Sequence, residues 1–288
     1  MNSLRSILLH LDASPRSAVR LRLARTLAAQ HEARVTALYG VTPTFLTLPL
    51  AIGDGSAAMV PMLEQIDADH RASARAAFDR ERGSGSGADG ELLWAEMGTE
   101  PVIPGFTAQA LFADLVVLGQ HDPGDAEAAG VPADFVASVV VGSGKPALVV
   151  PYAGTFTGIG ADVLVAWKPT REAARAVACA LPLLQGARSV HVVGWSADAG
   201  TATPADRPGR LDLAGYLRLH GVEPKLRFHS GASIDVGVGE GLLSLAADVG
   251  ADLLVMGCYG HSRARELVLG GATRTILRSM TVPVLMAH

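Results

Sequence analysis

The feature that most constrains this chain is that it contains the same apolar phrase twice. Ala113–Gly119 reads ADLVVLG and Ala251–Gly257 reads ADLLVMG. Each is followed downstream by a second matched run, Lys145-Pro146-Ala147-Leu148-Val149 in one place and Val282-Pro283-Val284-Leu285-Met286 in the other. Repetition at this separation implies two like halves of roughly 140 residues. Short, nearly all-apolar runs bounded by turn residues are the mark of strands buried on both faces, and such strands belong to parallel sheets covered by helices.

The rest of the chain fits that reading. In the first half, strands are expected at Ile7–Leu11, Arg34–Gly40, Glu91–Glu96, Asp114–Gly119 and Pro146–Val150. Helical patterns lie between them, one opening at Ser14-Pro15, a serine N-cap ahead of a proline in the first turn, and another opening at Pro61. The second half repeats the order with strands at Asp162–Trp167, Ser189–Trp195, Lys225–His229, Ala251–Met256 and Val282–Met286. Strands alternating with helices predict open, mostly parallel five-stranded sheets, one per half, wound by right-handed crossovers, with any ligand at the carboxyl ends of the strands. The halves are expected at 1–152 and 160–288, joined by the linker-like YAGTFTGIG of Tyr152–Gly160. The stretch Val41–Val60 is irregular and apolar enough to cover something.

One segment carries chemistry. After Leu253–Met256 come Gly257 and Gly260, then nine residues, then Gly270-Gly271 and a helical pattern holding Thr273. Glycines let backbone N–H groups approach a ligand closely, and the free amides and positive dipole end of a helix favour an anion. Cys258 lies inside this loop, where partial exposure would leave a redox role open.

The spacing Gly-two-Gly-nine-Gly, with Val282-Pro283-Val284-Leu285 beyond the helix, resembles the universal stress protein family. The resemblance covers nearly the whole chain and is stronger in the second half. It implies a tandem member of the family, an adenine nucleotide alpha hydrolase-like, Rossmann-like fold, and halves packed as a family dimer would be, an intramolecular pseudo-dimer able to pair again as a homodimer. It also implies a cytoplasmic, non-catalytic stress-response protein that holds ATP, ADP or AMP, with or without magnesium, at the ribose- and phosphate-binding loop.

The two halves share the implied site unevenly. Asp12 stands where nucleotide-binding members place an aspartate beside adenosine, and Gly119 keeps the first glycine, but Gln120-His121-Asp122 and Ala133-Asp134 replace the rest. These two are the first half's vestige, and Asp12 reads equally well as a turn residue that starts a helix. In the second half Gly257, Gly260, Gly270, Gly271 and Thr273 remain. Gly271 takes the place of a family hydroxyl, and Lys168 takes the place of the aspartate. Lys168, His261 and Arg263 are the side chains that could meet an anion there, with Arg265 and Arg274 nearby. Arg263 and Arg265 read equally as solvated loop residues, and His261 as a polar turn.

Composition removes other classes. Hydrophobic residues make up 49% of the chain and charged ones 18%, as in a well-cored globular protein, and a net charge of −4 lacks the basic footprint of a nucleic-acid binder. No run suits a membrane span or a signal peptide, which predicts a cytoplasmic protein with no membrane partner. Cys179 and Cys258 lack metal spacing and no histidine pair has zinc spacing, so no metal is expected. Gly142-Ser143-Gly144-Lys145 lacks the Ser/Thr and upstream glycine of a phosphate-binding P-loop and reads as a turn. Gly237, Gly239 and Gly241 follow no strand. Two rivals stay open: a degenerate tandem scaffold, or a binder of another small or apolar ligand covered by Val41–Val60. An enzyme of adenylyl chemistry lacks a visible base or metal ligand.

Overall fold

A computed structural model describes residues 4–47, 56–83, 91–125, 130–196, 211–230, 237–259 and 271–288. Those residues fall into two compact units. The first holds Leu4–Lys145 with Thr155–Thr157, and the second holds Pro146–Gly154 and Gly158–His288.

In the first unit, strands β1 (Ser6–Leu11), β2 (Arg34–Tyr39), β3 (Leu92–Glu96) and β4 (Leu115–Gly119) form the order β3-β2-β1-β4, every pair parallel. The middles of β1 and β4 are buried, as the apolar runs predict, while β3 at the edge leaves Leu93 exposed. Helix α1 (Arg16–His31) packs on β1, β2 and β4 and against α3 (Ser56–Gly83), which follows the short α2 (Thr44–Thr47). Helix α4 (Val102–Ala110) packs on α5 (Phe135–Ser143).

The second unit carries β5 (Ala147–Val150), β6 (Asp162–Trp167), β7 (Ser189–Ser196), β8 (Pro224–Ser230), β9 (Leu253–Gly257) and β10 (Val284–Ala287) in the order β5-β10-β9-β6-β7-β8. All neighbours are parallel except β5 and β10, which run antiparallel with Leu148 opposite Leu285. Its helices are α6 (Arg171–Leu184), α7 (Leu213–Leu219), α8 (Val238–Asp248) and α9 (Ala272–Ser279). The strand that closes the first half in sequence therefore pairs with the last strand of the second. Against the five and five of the sequence reading, the compact units hold four strands and six.

The repeated aspartate does one job in both units. Asp114 accepts hydrogen bonds from the Arg5 and Ser6 amides, both at 2.9 Å, and Asp252 accepts them from Gly160, Ala161 and Asp162 at 2.8, 3.0 and 3.2 Å. Each carboxylate thus ties the start of one strand to its neighbour and satisfies amides no sheet partner reaches.

Several local expectations change. The Ser14 side chain does not cap α1: its hydroxyl donates to Asp12 Oδ1 at 2.5 Å, and Pro15 holds the cap position. Pro61 lies inside α3 rather than at its start, near the end where losing one backbone bond costs least. Gly142 and Ser143 end α5, and Gly144 caps it with φ 61°, so the P-loop look-alike is a helix terminus. Gly239 sits in α8, where a Cβ would lie 2.6 Å from Thr275 Cβ of α9, so it serves helix packing. Val41–Val60 contributes α2 and the start of α3, and its residues 48–55 lie outside the described residues.

Candidate functional site

In each unit the strand order reverses between two neighbours, β1 and β4 in the first and β6 and β9 in the second. Sheets of this kind bind ligands at that reversal, beyond the carboxyl ends of the strands. Asp12 and Gly119 stand there in the first unit, Lys168 and Gly257 in the second.

The first mouth is filled by its own side chains. Asp12 follows β1 and is buried, and its Oδ1 accepts from the Ser14 amide at 3.1 Å and from Arg20 Nη2 at 2.8 Å, with Ser17 Oγ at 2.9 Å. Arg20 is itself buried, 3% exposed, and its Nε donates to the His10 carbonyl at 3.2 Å. Its guanidinium lies over Gly119, where a Cβ would come within 2.4 Å of Arg20 Nη1. Gln120, beside Gly119, is also buried. Burial alone would raise the Asp12 carboxyl, but the Arg20 charge, with help from His10, Ser14 and Ser17, holds it down at about 2.

His10 completes the cluster. Its Nε2 lies 2.7 Å from the Gly40 carbonyl, an acceptor only, so the proton sits on Nε2. Its ring packs against Phe106 and Phe135, with centroids at 5.4 and 4.5 Å. Burial pushes the imidazole down to about 4, against the pull of the Asp12 carboxylate 3.9 Å away and with the push of Arg20. The Asp12 of the sequence reading is therefore both a turn residue that starts a helix and half of a buried ion pair.

The second mouth is built otherwise. Lys168 is exposed after β6. Thr170 caps α6, its hydroxyl accepting from the Ala173 amide at 3.4 Å. Helix α6 then comes down onto Gly257 at the end of β9: a Cβ there would meet the Ala173 nitrogen at 2.5 Å and the Glu172 carbonyl carbon at 2.6 Å. Glu172 is buried, and its carboxylate takes a hydrogen bond from Arg171 Nε at 2.5 Å. Cys258, expected to be partly exposed, is 1% exposed, and its amide donates to the Ala287 carbonyl at 3.0 Å. The last strand covers it, which removes the access a reactive thiol needs.

Gly271 precedes α9 with extended backbone and offers no side-chain cap, while the Arg274 and Thr275 amides turn back to its carbonyl at 2.9 and 3.3 Å. The amides of Ala272 and Thr273, at the start of the helix, have no partner within it. Thr273 is buried and Arg274 exposed. Gly260, His261, Arg263, Arg265 and Gly270 lie outside the described residues. The structure thus brings Asp12 and Gly119 together, and separately places Gly257 under α6 and Thr273 at the start of α9.

The sequence reading missed Arg20, although a signal was present. Ser17, Arg20, Leu21, Ala24, Leu27 and Ala28 form the buried stripe of α1 at helical spacing, with one charge in it. The matching stripe of α6 is Ala173, Ala176, Val177, Ala180, Leu183 and Leu184. Among the described residues no cluster of three or more His, Cys, Asp or Glu could hold a metal ion, and no helix is long and apolar enough to cross a membrane.

Comparison with known proteins adds the following. Residues 161–288 match the Universal stress protein family. A universal stress protein of Synechocystis sp. is 46% identical over 46 residues, a stretch spanning 16% of this chain and 16% of that protein. A universal stress protein from Archaeoglobus fulgidus shares the fold with a TM-score of 0.62 at 18% identity, covering 98% of this chain and 95% of its own. A functionally unknown protein from Pseudomonas aeruginosa shares it with a TM-score of 0.55 at 15% identity, covering 98% and 92%.

Proposed function

We propose, from the match of residues 161–288 to the Universal stress protein family, a non-catalytic role in the stress response in which the second unit holds an adenine nucleotide. Gly257, Gly260, Gly270, Gly271 and Thr273 form the holding loop, and Lys168, His261 and Arg263 supply side chains toward the phosphates. ATP, ADP and AMP all fit this reading, with or without magnesium. The protein acts in the cytoplasm, its halves paired as an intramolecular pseudo-dimer that can associate further as a homodimer.

The observation that carries the reading is the start of α9. A glycine cap leaves the Ala272 and Thr273 amides without a helical partner, and such a terminus suits an anion. Among the described residues α6 carries no buried arginine, since Ala176 stands where Arg20 stands on α1. Mass spectrometry of the small molecules released from the denatured, freshly purified protein tests it directly. An adenine nucleotide near one per chain is expected, together with thermal stabilisation by ATP or AMP that grows with concentration. Neither release nor stabilisation would defeat the reading.

One observation favours the rival, a scaffold without nucleotide. Gly257 lacks a side chain in a place where the α6 backbone needs the room, so packing alone accounts for that glycine. A replacement at Gly260 separates the two readings: Gly260→Asp abolishes nucleotide retention if the loop holds phosphate, and leaves a scaffold's fold and melting unchanged.

A further inference from the structure

Within the first unit, the ligand position of the sheet already has an occupant. We infer that Arg20 is a built-in cationic tenant of the β1–β4 mouth, and that truncating it opens a pocket for an alkylguanidinium ion.

The argument starts from what a guanidinium requires. It is a flat fork of donors that keeps its charge and is rarely buried without an anion. Arg20 finds three acceptors at 3% exposure: Asp12 Oδ1 at 2.8 Å, Ser17 Oγ at 2.8 Å and the His10 carbonyl at 3.2 Å. One of its faces lies on Gly119, where any side chain would collide with Nη1. The acceptors are held independently of Arg20. The Ser14 amide and hydroxyl fix Asp12 Oδ1 at 3.1 and 2.5 Å, the His10 carbonyl belongs to β1, and Ser17 sits in the first turn of α1. Removing the side chain beyond Cβ therefore leaves a lined slot with an anionic wall and a glycine floor.

A second consequence concerns the wild-type protein. With Arg20 in place, its guanidinium and the Asp12 carboxylate occupy the space beside Gly119. These charges are already neutralised against each other, and Phe135, at the start of α5, packs on His10 rather than leaving room for a ligand. The space beside Gly119 is thus filled from within the first unit.

The test is chemical rescue of the full-length Arg20→Ala variant with ethylguanidinium at millimolar concentration, read by thermal unfolding. Leaving Asp12 buried without its partner should lower the melting temperature by roughly 6–20 °C. Ethylguanidinium should restore several degrees to the variant and nothing to the wild type, and ethylammonium, which lacks the fork, should restore less. In the double variant Asp12→Asn/Arg20→Ala, rescue should disappear. Equal rescue of single and double variants, or none in the folded single variant, overturns the inference. Should Arg20→Ala fail to fold, Arg20→Lys decides: a marked loss of stability supports a tenant that needs the fork, and wild-type melting overturns it. The guanidinium test gives its answer whether or not the second unit binds nucleotide.

Discussion

The two sheet mouths of this protein are made from the same template and use the glycine at the end of a strand for opposite purposes. In the first, a glycine at the end of β4 makes room for a buried guanidinium, so that a charged side chain fills the space between α1 and the sheet. In the second, a glycine at the matching place on β9 makes room for the α6 backbone itself, and the buried guanidinium is gone: Ala173 and Ala176 replace Ser17 and Arg20. Loss of the Arg20 charge goes with loss of its partner, since the exposed Lys168 stands where the first unit buries Asp12. A buried carboxylate and a buried guanidinium are tolerable only together. The difference teaches that each mouth changed as a set, while the frame below it, marked by Asp114 and Asp252, kept one role.

The largest effect should come from the two glycines. Gly257→Ala places a Cβ 2.5 Å from a backbone nitrogen, and a helix must move to admit it. Gly119→Ala places one 2.4 Å from the end of a long side chain, which can yield by giving up part of its hydrogen bonding. We expect Gly257→Ala to cost about 3 kcal/mol or more and Gly119→Ala about 1–2 kcal/mol in chemical denaturation. Equal costs would mean that Arg20 is as immovable as backbone and would erase the distinction between the mouths.

Acid sensitivity should belong to the first unit. His10 stays neutral when folded, titrating at about 4 instead of 6.5, so between those values the unfolded chain binds a proton that the folded chain refuses. Stability therefore falls as pH drops from 6.5 to 4, by about 2–3 kcal/mol. Asp12 adds a further loss as pH falls from its ordinary value of 3.8 toward about 2, where its paired carboxylate is finally protonated. Denaturation midpoints across this range should show the first limb, and His10→Gln should flatten it. A slope unchanged in His10→Gln would place the acid response outside the cluster.

The frame offers a smaller, sharper comparison. Asp252 uses both oxygens, Oδ1 for Gly160 and Asp162 and Oδ2 for Ala161, whereas Asp114 serves both of its amides through Oδ2. An asparagine keeps one acceptor oxygen and turns a donor toward whatever the other faced. Asp252→Asn should cost about 2 kcal/mol and Asp114→Asn under about 1 kcal/mol, measured by urea unfolding. The reverse order would show that the hydrogen-bond geometry of the two carboxylates does not govern their worth.

What the sequence disclosed follows from what repeats. The strands announced themselves because burial on both faces leaves little but Val, Leu, Ile and Ala between turn residues, and the paired ADLVVLG and ADLLVMG fixed the two-fold pattern. The pairing of β5 with β10 came only with the family resemblance, which implies halves packed through their last strands; its antiparallel sense leaves no local signature in the residues. The first mouth was half legible. Asp12 drew notice, but Arg20 did not, and only its place in the buried stripe, set beside the alanines of α6, reveals it. Cys258 looked reachable because it sits among glycines, yet it is buried and its amide is bound to the distant Ala287 of the last strand.

The smallest predicted effect bears most directly on function. Gly271 precedes α9 with φ −58° and ψ 163°, a backbone that any L-residue adopts without strain. Gly271→Ser should therefore fold normally. Its hydroxyl can be used in two ways: as an N-cap accepting from an amide of the first turn, which stabilises the free protein by a few tenths of a kcal/mol, or as a donor to a bound phosphate, which adds about 1 kcal/mol, some fivefold in affinity. Calorimetric titration with ATP separates these. Tighter binding by severalfold places the nucleotide's phosphates at the start of α9 and makes the second mouth the open one of the pair. A higher melting temperature with unchanged binding assigns the hydroxyl to the helix alone, and the two mouths would then differ in how they are closed, not in whether they are.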